Sequence, residues 1–290
     1  MPLIPFTEMM AAAKQGGYAV GYFEPWDVGS LLAILRGAEE ARSPVMVGLS
    51  GIYLPPFLRG ELRHFGVFAH AGRLACEKAH VPVSYLFNET PNWEWAQASV
   101  HLGFNVTMYS NPADDQGTHI QRTAQLVREA EAADVAVQSE LRSLMAGDNA
   151  GMTDPDAAAE FVSRTRVHGL GVSVGNRHVV TGKFHLDLEL IARLAEAVPV
   201  PLVLHGGSGA QDEQLQEAIV RGLRQVNYGA VLRQVFLEHL TDSLDQDWRS
   251  KDPHELLGTG HKDDLMRPGL EAVSALVAQK CTLLGSSGRA

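Results

Sequence analysis

Eight short apolar runs, each followed by a longer amphipathic stretch, alternate along this chain, and no other feature restricts its fold as much. The runs are Tyr18–Phe23, Pro44–Ser50, Val81–Phe87, Asn105–Tyr109, Asp134–Glu140, Leu170–Val174, Pro201–Leu204 and Gln225–Asn227. The first seven have the length and largely apolar character of a strand buried on both faces, and the three-residue eighth completes the repeat. The intervening stretches, among them Leu31–Ala41, Leu62–Ala79, Asp115–Ala133 and Val231–Leu244, carry apolar residues at helical spacing. Strand–helix units in series build a parallel sheet with helices outside it. Eight of them close a (β/α)8, or TIM, barrel. An open doubly wound sheet would need a dinucleotide fingerprint after its first strand, and Gly21-Tyr-Phe-Glu-Pro25 is not one. A helix about Phe6–Lys14 precedes the barrel. A polar segment, Gln246–Gly260, and a last helix about Leu265–Gln279 form a C-terminal helical extension. No linker divides the sequence, so residues 1–290 read as one α/β domain.

Charge and cysteine usage narrow the function. With 34 Asp and Glu against 24 Lys and Arg, the net charge of −10 argues against a nucleic-acid surface. No apolar run reaches the length of a membrane span. The N-terminus has no basic stretch leading into an apolar core, as a secretory signal would. Cys76 and Cys281 form neither a metal-ligand pair nor a disulfide framework. The expectation is a cytoplasmic protein whose partner is a small molecule, with neither nucleic acid nor membrane.

In such a barrel the chemistry gathers at the carboxyl ends of the strands. Those ends carry Glu24, Ser50, Asn88 with Glu89, Tyr109 with Ser110, Glu140, Asn176 with His178, His205, and Asn227. His178 and His205 follow consecutive strands, which places them side by side at one rim. Glu89 or Glu140 can supply a carboxylate across the mouth. Two imidazoles and a carboxylate suit zinc, or another divalent metal, with an open coordination position. After His205, the turn Gly206-Gly-Ser-Gly209 offers backbone N–H groups to an anion. The remaining histidines fall on helices or in loops and read as structural. Trp93 and Trp95 read as packing residues.

These residues also resemble a known family. The segments Leu170-Gly-Val-Ser-Val-Gly-Asn-Arg-His178, Leu202-Val-Leu-His-Gly-Gly-Ser-Gly209 and Val226-Asn227 are similar to those of the class II fructose-bisphosphate and tagatose-bisphosphate aldolases. So are Ser43–Ser50, Val137–Leu141, Thr153-Asp-Pro155 and the tail Leu284-Gly-Ser-Ser-Gly-Arg-Ala290. The resemblance implies a TIM barrel, a homodimer or homotetramer, and a zinc held by three histidines that stabilises an enediolate. It assigns His178 and His205 to the metal and Glu140 to its vicinity. It implies that Gly206, Gly207, Ser208 and Asn227 match the family's dihydroxyacetone-phosphate site, and Ser50, a strand end, joins them as a candidate for the substrate.

The departures fall on the chemistry. Where the family's third strand ends in His-Leu-Asp-His, this chain has Leu86-Phe-Asn-Glu89. The proton donor is therefore Asn88, which does not titrate, and a metal-ligand position is Glu89, which can still ligate. The phosphate loop reads Asn227-Tyr-Gly-Ala-Val231, without the family's Thr and acid. Tyr109 or a water would take over the proton, and Arg142 and Arg177 on rim loops would bind a carboxylate. The expected function is a metal-dependent carbon–carbon lyase for a small ketose, polyol or sugar acid, inefficient with fructose bisphosphate. The alternative is a non-catalytic, aldolase-like subunit or sugar-binding protein.

Overall fold

The computed structural model describes residues 2–53, 62–141, 151–176, 183–244 and 248–290, with backbone alone at 62–64. Eight strands, β1 (Val20–Phe23), β2 (Val45–Ser50), β3 (Val83–Thr90), β4 (Val106–Tyr109), β5 (Ala136–Glu140), β6 (Gly169–Gly171), β7 (Leu202–Leu204) and β8 (Leu223–Tyr228), follow one another around a closed barrel. Every neighbouring pair is parallel, and β1 closes on β8 with Val20 opposite Gln225 and Phe23 opposite Tyr228. The TIM barrel expected from the alternation is the fold.

The helices are α1 (Phe6–Gly16), α2 (Val28–Glu40), α3 (Leu62–Lys78), α4 (Trp93–Ser99), α5 (Gln116–Glu131), α6 (Pro155–Thr165), α7 (Leu188–Ala197), α8 (Asp212–Val220), α9 (Ala230–Leu244), α10 (Pro253–Leu256) and α11 (Arg267–Leu283). Short polar residues start many of them. Asp27, Asn92, Asp115, Asp154 and Asp187 each accept the backbone N–H three residues on, which satisfies one of the free donors of a first turn.

Strand alternation sorts side chains into two layers. Outward residues such as Phe23, Val47, Phe87, Tyr109, Val137 and Leu204 pack under the helices. Inward residues Val20, Tyr22, Met46, Leu86, Val106 and Met108 fill the barrel. Helix α1 closes the amino-terminal end with Phe6, Met9 and Met10, which join that inner cluster. The chain terminus is pinned too: Ser43 Oγ donates to Ser286 Oγ at 2.8 Å, and Ala290 N to Arg42 O at 3.0 Å. With one end sealed, the polar strand ends at the other are the ones open to a ligand.

Two strand ends depart from the sequence reading. Strand β3 continues to Thr90, past the expected end at Phe87, through a register shift against β4 between Phe87 and Thr90. Strand β6 stops at Gly171, short of Val174. Beyond it the backbone turns to partners outside the sheet, with Ser173 N donating to Thr153 Oγ1 and Val174 N to Asn176 Oδ1, both at 2.8 Å.

Candidate active site

The inward parity of each strand determines what stands at the barrel mouth. Continuing the inner rows upward gives Glu24 after Tyr22, Ser50 after Met46 and Gly48, Asn88 after Leu86, Ser110 after Met108, and Glu140 after Gln138. His205 and Asn227 complete the ring from β7 and β8. All of these side chains are buried. The barrel therefore changes from apolar in its middle to polar at its carboxyl end.

His205 lies at the centre of the site. Its Nδ1 is 2.7 Å from Oε1 of Glu89, and the two side chains are 2% and 5% exposed. Glu89 reaches it because of the bulge in β3: its φ of 50° is left-handed, a region costly for a residue other than glycine. The amide nitrogen of Asn227 is 3.4 Å from Nδ1 and 3.5 Å from Nε2. Asn227 is itself fixed by Gln225, whose Nε2 donates to its Oδ1 at 2.8 Å. Below, Asn176 Nδ2 donates to the His205 carbonyl at 3.0 Å. The imidazole lies against Gly171, where an added Cβ would come within 3.6 Å of Nε2 and 3.3 Å of the Glu140 Cβ. Glu140 accepts from Ser110 Oγ at 2.5 Å, and its backbone carbonyl is 2.8 Å from His119 Nε2.

A cavity of about 240 Å³ opens beside this group, lined by His205, Glu89, Asn88, Gly206, Ser208 and Asn227 on one side. Asn88 Oδ1 and Ser50 Oγ, neighbours in the β2–β3 register, are buried without a hydrogen-bond partner among the described residues. Buried acceptors of that kind imply a ligand or water that donates to them. Gly206 has φ 73°, which lets the chain turn sharply after β7 and set Ser208 on the cavity wall. Two N–H groups of that turn are already engaged, Gly209 N with Gly206 O and Ala210 N with Gly207 O.

The far wall holds residues that the sequence reading did not assign to the site. Arg233 Nη2, on the first turn of α9, lies 2.8 Å from Glu24 Oε1. Its guanidinium is also 5.6 Å from the Trp26 ring centre and 5.5 Å from that of Tyr53. Burial holds the Tyr22 phenol well above its usual range, and the charges of Glu24 and Glu89 push in the same direction. Glu24 was legible as a strand end. Arg233 was legible only as a cation one helical turn past the end of β8.

Other sequence-derived candidates do not meet here. Tyr109 points out of the barrel: its hydroxyl donates to Asp114 Oδ2 at 2.7 Å and accepts from Arg122 Nη1 at 2.8 Å. Its ring packs edge-on against Trp93. Burial and the Asp114 hydrogen bond raise its pKa, so it is a poor proton source for the cavity. Ser50 and Gly207 stand beside the cavity and do not line it. Arg142, Arg177 and His178 lie outside the described residues. Among the described residues no three His, Cys, Asp or Glu side chains form a metal shell. His205 and Glu89 supply two donors of the right chemistry, buried and convergent, and Glu140 lies near His205 across Gly171 without lining the cavity. That donor set fits a divalent ion.

Comparison with known proteins agrees with this geometry. The family model for class II fructose-bisphosphate aldolase matches residues 4–289. A fructose-bisphosphate aldolase of Geobacillus stearothermophilus is 29% identical, with 100% of this chain and 99% of that protein aligned. YdjI of Escherichia coli K12 is 31% identical over 94% of each chain. The crystal structure of the YdjI aldolase superposes with a TM-score of 0.82 over 99% of each chain at 30% identity. With the barrel and the whole length in agreement, the chain belongs to the class II fructose-bisphosphate aldolase family.

Proposed function

We propose that this protein is a divalent-metal-dependent, aldolase-type carbon–carbon lyase for a small ketose, polyol or sugar acid, and that it handles fructose bisphosphate poorly. The observation that carries this reading is the buried His205–Glu89 pair beside a cavity whose proton-donor position is Asn88. Glu89 and His205 would hold the ion, with Glu140 and His178 as further donors. A divalent metal there supplies Lewis-acid charge stabilisation to the oxygens of an α-hydroxycarbonyl. The 2.7 Å contact between His205 Nδ1 and Glu89 Oε1 puts both donors within reach of one ion, which would take the place of the hydrogen they share. Asn227 and Ser208 orient substrate hydroxyls. Asn88 accepts a hydroxyl hydrogen through its orphaned Oδ1 but gives up no proton, so the proton comes from water in the cavity. Arg142 and Arg177 remain candidates for a substrate carboxylate. The protein acts in the cytoplasm as a homodimer or homotetramer, and light scattering on the purified chain gives the subunit count.

Elemental analysis tests the reading. About one zinc or similar ion per chain is expected, and His205→Ala is expected to lose it. In deuterated water, the metal-loaded protein should exchange the hydroxymethyl protons of dihydroxyacetone, followed by proton NMR. A protein that takes up no ion and exchanges nothing is instead the non-catalytic subunit that the loss of the acid at Asn88 would also allow.

A further inference from the structure

We propose that Glu24 neutralises Arg233 so that the end of the substrate lodged against α9 is an uncharged, hydroxyl-bearing group and not a phosphate or carboxylate. The inference rests on the reading of this cavity as the substrate site and adds the chemistry of one of its ends. Arg233 is the one arginine or lysine among the described residues lining the cavity. A cation there is the natural anchor for an anionic substrate. Its guanidinium, however, already meets the Glu24 carboxylate at 2.8 Å, and that carboxylate is only 6% exposed. The rings of Trp26 and Tyr53 flank Arg233, so it cannot swing away from Glu24 without giving up both contacts. An entering anion would have to share the arginine with a buried like charge. Glu24 and Glu89 both raise the Tyr53 phenol, after burial as the main cause, as expected of charges sharing one cavity.

The groups left for the ligand suit hydroxyls. Glu24 accepts, Arg233 donates from its remaining N–H groups, and Asn88 offers its orphaned oxygen. Ser208 Oγ already accepts from Val231 N at 3.3 Å, so its own hydrogen is available to donate.

The test is direct binding of inorganic phosphate, dihydroxyacetone and dihydroxyacetone phosphate to the metal-loaded, full-length protein by calorimetry. The wild type is expected to bind dihydroxyacetone at least as tightly as its phosphate ester, and inorganic phosphate only weakly. Glu24→Gln should gain about tenfold or more for both phosphate ligands, the scale of one released charge-assisted contact. Its affinity for dihydroxyacetone should change little. Adding Arg233→Met should abolish the gain. Glu24→Asn provides a second way to remove the charge should the glutamine variant fold poorly, as judged by its Tm. A wild type that prefers the phosphate ester by tenfold or more, or charge-removing variants that leave the preference unmoved, overturns the inference. Phosphate binding needs no turnover, so this result is separate from the lyase reading, which fails instead on absent metal uptake and absent proton exchange.

Discussion

At the scale of single residues, the site depends on side chains held in unfavourable states by their surroundings. Glu89 adopts a left-handed backbone, at a cost of about 1–2 kcal/mol for a residue with a Cβ, and gains its contact with His205. Asn88 keeps a buried oxygen without a partner among the described residues. Replacing it by a residue that titrates should restore a proton donor: Asn88→Asp is expected to raise the rate of carbon–carbon cleavage by about 10²-fold, the lower end of general acid catalysis. A new limb should appear in the pH–rate profile, and an unchanged profile would show that the proton never passes this position. Away from the site, His168 Nδ1 accepts from Val137 N at 3.1 Å, and burial lowers its pKa from the ordinary 6.5 despite the opposing charge of Glu131. The unfolded chain thus takes up this proton near 6.5 and the folded chain only at lower pH. Stability is complete above that value and falls as pH drops through the window below it. Urea midpoints should decline from about pH 7.5 to about 5.5, with a ceiling near 1.4 kcal/mol per pH unit for one proton. His168→Asn should flatten that slope. His119, also lowered by burial, contributes in the same direction.

At the scale of elements, the turn after β7 and the helix caps couple fold to site. Gly206 sits at φ 73° between His205 and the cavity wall. Gly206→Ala should cost about 1–2 kcal/mol in chemical denaturation and weaken ligand binding through Ser208. Asp154 caps α6 through Ala157 N at 2.9 Å. Asp154→Ala should cost about 1 kcal/mol with ligand binding unchanged, which separates a purely structural loss from one that reaches the site. The sequence made these elements readable because caps, proline at a first helical turn and glycine after a strand act locally. It misjudged the ends of β3 and β6 because those depend on partners from elsewhere: the β4 register in one case, Thr153 and Asn176 in the other.

At the scale of the molecule, the barrel brings remote segments to one mouth, and the ion proposed to sit between His205 and Glu89 would tie them together. Anything that binds the native state alone raises its stability by mass action, about 2.7 kcal/mol when the free ion exceeds its Kd a hundredfold. Chelation should therefore lower the Tm of the wild type and zinc should restore it, while His205→Ala should respond to neither. No helix of the described residues is long and apolar enough to cross a membrane.

The count and period of the apolar runs by themselves determined the barrel, because eight parallel strands with outer helices have few ways to bury their faces. The strand ends likewise marked the candidates for its mouth, Tyr109 among them. Only the tertiary structure decided who meets whom there. Closure of β1 onto β8 sets Glu24 against Arg233, and the β3 bulge turns Glu89 onto His205. Outward parity gives Tyr109 to Asp114 and Arg122 instead of to the cavity. Such pairings depend on register and closure between segments far apart in the chain, and no local pattern of residues encodes them.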